Sequence, residues 1–279
     1  MDYTTLISVA DLANHLHDPD VVVFDCRHDL TDADFGARAY AESHIAGARF
    51  ASVDRNLSDP LTGTNGRHPL PDPDVFSAWL SRMGVSHSSQ VVAYDHAGGA
   101  YGARLWWLLR WLGHSRVAVL DGGWQAWAAE AQPVTKDVPA LKVARFSGQP
   151  DNSNVDAQFV LQRLNSPNMA LIDARANDRY HGENETIDPV AGHIPGAINR
   201  FFKDNLTADG RFKTPAELRA AFRPLVGTTP AEQVVHQCGS GITACHNVLA
   251  MEIAGLKGTR LYAGSWSEWI ADPSRPVTR

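Results

Sequence analysis

The chain has 279 residues, enough for one large domain or two of ordinary size. Its 44% hydrophobic residues and eight tryptophans supply real cores and exclude a disordered chain. A formal net charge of −6, with no basic stripe and no run of like charge, argues against a nucleic-acid binder and against a charged tail.

The N-terminus, "MDYTTLISVADLANHL", is acidic and lacks a positive region followed by an apolar one, so no signal peptide is read there. The longest apolar stretch, "ARLWWLLRWLG", is interrupted by Arg104 and Arg110 and is too short for a bilayer, so no membrane span is expected. Three cysteines cannot all pair with one another and form no disulfide framework. A reducing, cytoplasmic setting is the expectation.

In chain order the sequence says the same thing twice. "VVVFDCRHD" (21–29) returns as "MALIDARAND" (169–178), and "ESHIAGARF" (42–50) as "AGHIPGAIN" (191–199). "QVVAYDHAGGAYGARLWWLL" (90–109) returns as "QVVHQCGSGITACHNVLA" (233–250), and "LDGGWQAW" (120–127) as "YAGSWSEW" (262–269). The spacing drifts from about 149 residues at the front to about 142 at the back. A period of that size is a duplicated domain, not a solenoid of short repeats.

Each copy opens with a β-branched run ending in Asp-x-Arg: Asp25 and Arg27, then Asp173 and Arg175. These are read as an internal ion pair at a strand end. A glycine-bearing His-Ile turn follows, which in "GHIPG" (192–196) has Pro195 to fix φ. An amphipathic helix comes next, "PDVFSAWLSRMGV" and "TPAELRAAFRPLV", the latter with Thr214 as N-cap and Pro215 at its first position. A second apolar strand then reaches residue 95 or 238 and gives way to a helix. A last short strand ends in Gly-x-Trp; Trp124, Trp127, Trp266 and Trp269 are read as core.

Strands alternating with helices predict an α/β fold: two tandem domains, each a mainly parallel sheet flanked by helices. The expected boundaries are 1–132 for the first domain, 133–154 for a Pro-, Asn- and Ser-rich linker, and 155–279 for the second.

The copies differ where chemistry is expected. The second has Cys238 and the first has Asp95, so one half is expected to be competent and the other kept for packing. In open parallel sheets ligands bind beyond the carboxyl ends of the strands. Cys238 sits at such an end, followed by Gly239, Ser240, Gly241, Ile242 and Thr243. Successive N–H groups of that loop can curl into an anion-binding nest, and the following helix adds its positive end. Both favour the thiolate, the nucleophilic form of cysteine. The alternative is a free cysteine buried as a small hydrophobe.

Other sulfur chemistries fit the letters poorly. A cysteine phosphatase needs an arginine six residues after its cysteine, and Ala244 stands there. Cys238, Cys245 and His246 lack the close pairing of a zinc site, so no metal is expected. Cys245 lies too far on for a Cys-x-x-Cys dithiol and is read as helix packing, and Cys26 as core-facing.

With "CGSGITA" after a strand, "DAR…RY.G…GHIPGA" before it and "GSWSEW" after it, the chain resembles the two-domain rhodanese-type sulfurtransferases over nearly its whole length. The resemblance implies two domains of rhodanese fold, a non-catalytic first domain, no cofactor, and sulfur carried as a persulfide on Cys238. A Cys-Gly-Ser-Gly loop within that family implies 3-mercaptopyruvate as donor and release of pyruvate. Thiosulfate is the alternative donor, and a non-catalytic partner-binding or redox-sensing module the alternative function. A thiol, thioredoxin or cyanide is the implied acceptor.

The resemblance assigns the donor's carboxylate to Arg179, whose planar fork suits it. The loop residues Gly239, Gly241, Ile242 and Thr243 line the same site. It also assigns a proton relay to Ser240, His68 in "GRHPLP" and Asp54 in "ARFASVD". The second arginine that many mercaptopyruvate enzymes carry about nine residues beyond the first is absent: that position is Asp188 here, or the nearby Thr186 and Ile187 if the loop is shorter, an absence expected to raise KM.

Overall fold

The computed structural model describes residues 2–164 and 166–279. The chain forms two compact units, and neither is contiguous. The first comprises 1–59, 71–151 and 208–212; the second comprises 60–70, 152–207 and 213–279. Residues 60–70 and 208–212 are thus exchanged. They occupy equivalent places in the repeat, "GRHP" at 66–69 answering "GRFK" at 210–213.

The first unit is built on a five-stranded parallel sheet ordered β1 (Leu6–Ile7), β6 (Val117–Leu120), β5 (Gln90–Tyr94), β2 (Val21–Asp25) and β4 (Arg49–Phe50). β2 and β5 are continuous apolar runs because both faces of a parallel sheet are covered. The covering helices are α1 (Val9–His15), α2 (Phe35–Glu42), α3 (Pro73–Arg82), α4 (Gly102–Trp111) and α5 (Gly123–Ala129). α4 is buried on nearly every side, so its sequence lacks a polar face. Trp127, Tyr94, Ile45 and Leu120 meet in one core.

The stretch between the copies is fastened along this unit as far as Asp151. β7 (Val134–Thr135) pairs antiparallel with β3 (His44–Ile45), Phe146 is buried, and the Asp151 N–H donates to the Trp111 carbonyl at 2.9 Å.

The second unit repeats the order: β8 (Asn154–Val155), β12 (Arg260–Tyr262), β11 (Val234–Gln237), β9 (Ala170–Asp173), β10 (Ile198–Asn199), all parallel. Its helices are α6 (Ala157–Leu161), α7 (Asn177–Tyr180), α8 (Pro215–Val226), α9 (Thr243–Ile253) and α10 (Ser265–Trp269). α8 begins as expected: the Thr214 hydroxyl accepts from Glu217 N–H while the Glu217 carboxylate accepts from Thr214 N–H, with Pro215 at the first position. Trp266 and Trp269 are fully buried in its core. Among the described residues no helix is long and apolar enough to cross a membrane.

The Asp-x-Arg pairs are internal ion pairs in both units. Arg27 Nη2 lies 2.6 Å from Asp25 Oδ2, and Arg175 Nη2 lies 2.8 Å from Asp173 Oδ2. The same guanidiniums donate onward to the carbonyls of Ser43 and Gly192, which anchors each His-Ile turn to its sheet.

At the end of β5, the fully buried Asp95 carboxylate fills a cradle of backbone amides. Oδ1 accepts from Ala97 N–H at 2.7 Å and Gly99 N–H at 3.0 Å, and Oδ2 from Tyr101 N–H at 2.8 Å and Gly102 N–H at 2.7 Å. Asp95→Ala orphans all four donors and is expected to lower stability by roughly 2–5 kcal/mol in urea unfolding. A loss below about 1 kcal/mol would mean that the loop finds other partners.

Candidate active site

The equivalent strand of the second unit, β11, runs between β9 and β12 and delivers Cys238 just past its carboxyl end. Cys238 is buried, 2% exposed. Its N–H donates to Ser265 Oγ at 3.1 Å, and its carbonyl accepts from Trp266 N–H at 3.0 Å. The Gly239 carbonyl accepts from Ser267 N–H at 2.9 Å. The start of the loop is therefore bolted to the start of α10. Ser265 holds φ at 53°, a left-handed value that costs a non-glycine residue about 1–2 kcal/mol. Its hydroxyl offsets that cost by accepting the Cys238 N–H.

The loop turns at Gly241, where φ is +80° and a Cβ would sit 2.2 Å from the Ala263 carbonyl oxygen. No other residue fits. The turn aims the Gly241 N–H at Cys238 Sγ, 3.1 Å away. Ile242 is buried beneath the turn, and Thr243 opens α9, whose positive end adds to the field at the loop.

Ser240 lies within the turn, and its Oγ is 2.7 Å from His68 Nδ1, with both side chains buried. His68 belongs to this unit because 60–70 is an exchanged segment. The segment is anchored by Arg67, whose N–H donates to Ser267 Oγ at 3.0 Å. Asp54 belongs to the first unit, where Oδ2 is 4.0 Å from His28 Nδ1.

Arg179, in α7, donates from Nη2 to Glu185 Oε1 at 2.9 Å and to Asp188 Oδ2 at 3.1 Å. The other Asp188 oxygen accepts from Arg67 Nη1. Both carboxylates are almost fully enclosed, whereas the Arg67 and Arg179 side chains remain 30% and 18% exposed. A Cβ on Gly239 would meet Arg67 Nη2 at 2.9 Å and the Arg179 guanidinium at 3.6 Å. Two arginines thus lie over the first residue of the loop. Burial pushes the Arg67 pKa down, and the Cys238 sulfur is the strongest influence holding it up.

Arg67, Glu185 and Ser265 were not singled out by sequence. "GRHPLP" drew attention to its histidine, and nothing local marks the arginine beside it. Asp188 stands out in the sequence as a missing cation; in the fold it is the anion between two cations.

The other cysteines read as expected. Cys245 is buried in α9 and its thiol donates to the Gly241 carbonyl, S to O 3.3 Å. Cys26 is wholly buried; desolvation, with Asp25 and Asp95 adding to it, pushes its thiol well up, away from the reactive form.

His236 lies in β11, two residues before Cys238, fully buried, with no hydrogen-bond partner at either ring nitrogen among the described residues. Burial lowers its pKa from 6.5 to about 3. Between those values the unfolded chain holds a proton that the folded chain refuses. This contribution is therefore intact above pH 6.5 and is lost as pH falls toward 3, by at most about 1.4 kcal/mol per pH unit. Replacing His236 with Leu is expected to flatten the acid limb of a plot of urea midpoint against pH. An unchanged limb would place the acid sensitivity elsewhere.

A cysteine in a glycine-rich loop at the end of a parallel sheet, in a chain that repeats the same sheet with an aspartate at that place, defines a tandem-domain α/β protein. The rhodanese-like domain family matches residues 8–130 and 156–272, and the chain belongs to that family. It is 50% identical, over 99% of both chains, to a probable 3-mercaptopyruvate sulfurtransferase of Pseudomonas aeruginosa. It is 36% identical to a putative thiosulfate sulfurtransferase of Mycobacterium tuberculosis, over 98% of this chain and 96% of that one. The crystal structure of the 3-mercaptopyruvate sulfotransferase SseA from Escherichia coli superposes with a TM-score of 0.82 at 30% identity, covering 95% of this chain and all of that one.

Proposed function

We propose that this protein is a 3-mercaptopyruvate sulfurtransferase that works through a persulfide on Cys238. The observation that carries the reading is the sulfur of Cys238 facing the Gly241 N–H in a loop overlain by two arginines. The Cys238 thiolate attacks the donor's thiol sulfur. The carbon–sulfur bond breaks, its electron pair goes to carbon, and a pyruvate enolate leaves. The thiol proton passes to the enolate carbon, giving pyruvate and a Cys238 persulfide anion. Ser240 and His68 carry that proton across their 2.7 Å contact, with Asp54 assigned to the same relay. Arg179 holds the donor's carboxylate; Gly239, Gly241, Ile242 and Thr243 shape the cradle for the transferred sulfur. A thiol, a thioredoxin or cyanide then takes the outer sulfur and restores the thiolate. A reducing compartment, the cytoplasm, suits three free buried cysteines.

Charge supports mercaptopyruvate over thiosulfate. Arg67 and Arg179 are already balanced by Glu185 and Asp188. A donor with one carboxylate adds a single charge beside the cysteine thiolate, whereas the thiosulfate dianion adds two. Each uncompensated charge at partly buried range costs on the order of kcal/mol.

Treating the protein with 3-mercaptopyruvate is expected to add the mass of about one sulfur atom to the peptide bearing Cys238, and to neither other cysteine. An adduct on Cys26 or Cys245, or none, overturns the assignment. In steady state, kcat/KM is expected to be higher for 3-mercaptopyruvate than for thiosulfate. Ser240→Ala and His68→Gln are expected to lower kcat on mercaptopyruvate by about 100-fold, the range of general acid–base catalysis, with a much smaller effect on thiosulfate, which releases no enolate.

A further inference from the structure

We propose that Asn65 is a site of spontaneous deamidation, and that the carboxylate it leaves draws Arg67 away from the Cys238 loop. The modification site stands on the geometry of segment 60–70 alone; its effect on turnover rests on reading that loop as a sulfur-donor site.

Asn65–Gly66 is the one Asn–Gly pair in the sequence. With no Cβ on the following residue, the backbone nitrogen after an asparagine can approach that asparagine's own side-chain carbon. Three features of the fold favour the attack. The Gly66 N–H donates to no acceptor among the described residues. Asn65 Oδ1 accepts from the Thr62 N–H at 2.9 Å, a donor aimed at the oxygen on which charge develops as the carbon becomes tetrahedral. The preceding residues 61–64 are all exposed, so water reaches the turn. The departing nitrogen gives up one hydrogen bond, to the Pro60 carbonyl at 3.1 Å. Packing also holds the glycine in place: at φ +79°, a Cβ on Gly66 would lie 2.9 Å from the Gly264 carbonyl oxygen.

The steps balance with water alone. The Gly66 nitrogen gives its proton to water and bonds to Asn65 Cγ. The bond from Cγ to the side-chain nitrogen breaks, and that nitrogen leaves as ammonia with a proton from water. A five-membered succinimide remains. One water then opens it: cleavage at Cγ gives aspartate, and cleavage at the main-chain carbonyl gives isoaspartate. Nothing is oxidised or reduced, and both products carry a carboxylate at position 65.

The other arm of the repeat carries a carboxylate at that place already. "NGRH" (65–68) answers "DGRF" (209–212), and Gly66 and Gly210 share a φ of 79°. Asp209 Oδ2 lies 3.4 Å from Arg211 Nε, two residues on. The same spacing separates position 65 from Arg67, whose side chain is 30% exposed and open to a competitor of Asp188. Isoaspartate also lengthens the main chain by one atom, about 1.5 Å. The extra length falls directly before the packed Gly66 and the Arg67 N–H that is fixed to Ser267.

The test incubates the folded protein in warm, mildly alkaline buffer and maps it with trypsin. The peptide 56–67 is expected to gain about one mass unit, and fragmentation to place the gain on Asn65 and not on Asn56, which precedes a leucine. Asn65→Gln, whose longer side chain closes no five-membered ring, is expected to abolish the gain and to keep its turnover through the incubation. Asn65→Asp, the encoded form of one product, is expected to raise KM for 3-mercaptopyruvate about tenfold, the loss of one charge-assisted contact, with a smaller change in kcat.

No gain on Asn65 in the folded protein, while the chain unfolded in urea acquires it, overturns the site. A gain with KM unchanged in both the aged protein and Asn65→Asp overturns the effect on Arg67. The mass readout needs no sulfur donor. If mercaptopyruvate fails as a donor while Asn65 still gains the mass, the donor assignment fails and the modification site stands.

Discussion

The structure turns on a ring of backbone amides at the end of a central parallel strand and on what fills it. In the first unit the filling is permanent: the two oxygens of Asp95 take four N–H groups. In the second unit the equivalent position holds Cys238, with one acceptor atom on a shorter side chain, facing the Gly241 N–H. The difference is one of capacity. The Asp95 carboxylate takes four amides and makes its loop a structural cap, whereas the Cys238 sulfur faces the Gly241 N–H. The two loops differ in length, the following helix starting at Gly102 in the first copy and at Thr243 in the second. The frame around both loops is alike: Trp124 N–H donates to the Asp95 carbonyl and Trp266 N–H to the Cys238 carbonyl. At the preceding position Gly123 and Ser265 share nearly the same left-handed φ, 55° and 53°. Gly123 has no alternative, since a Cβ there would lie 2.3 Å from the Asp95 carbonyl oxygen. In the second copy Ser265 accepts the strain and returns a hydrogen bond to Cys238 N–H.

The second constraint is the exchange of equivalent segments. Because 60–70 belongs with the second unit and 208–212 with the first, neither copy is complete in its own stretch of sequence. In the first unit Phe212 N–H donates to Asp121 Oδ1 and Arg211 pairs with Glu130, which fastens one arm. In the second, Arg67 and His68 fasten the other. The arms have diverged as the loops have. The one that meets Asp95's unit carries a phenylalanine packed near Gly99; the one that meets Cys238 carries a histidine on Ser240. Duplication thus supplied two frames, and the arm beside the nucleophile took on polar chemistry.

Much of this was legible in the letters. Four repeated motifs in the same order gave the duplication, and strand–helix alternation gave the parallel sheets. The Thr214 capping box, the Asp-x-Arg ion pairs and the tryptophan cores are local or short-range features whose patterns survive in sequence. Cys238 stood out because glycines and a serine follow it at a strand end. The arginine pair did not stand out. Arg67 and Asp188 are 121 residues apart, and their meeting depends on an irregular segment crossing to the other unit. No periodicity encodes such a crossing. Reading Asp188 as a lost arginine was sound locally and incomplete spatially, because its carboxylate pairs with Arg67 from a distant segment.

That pairing stands beside an uncharged loop, although the donor proposed above is an anion. A cation within the loop would have to stand at Gly239 or its neighbours. At Gly239 a Cβ would press on the end of the Arg67 side chain at 2.9 Å and touch the Arg179 guanidinium at 3.6 Å, so the bare glycine leaves room for the arginines above it. Charge carried on two anchored arginines, each balanced by an enclosed carboxylate, adds little net field but offers two planar forks in fixed positions. Such a site gains less from a ligand's total charge than from its geometry. On the function proposed above, a planar carboxylate at a set distance from a sulfur suits that demand better than the tetrahedral thiosulfate dianion.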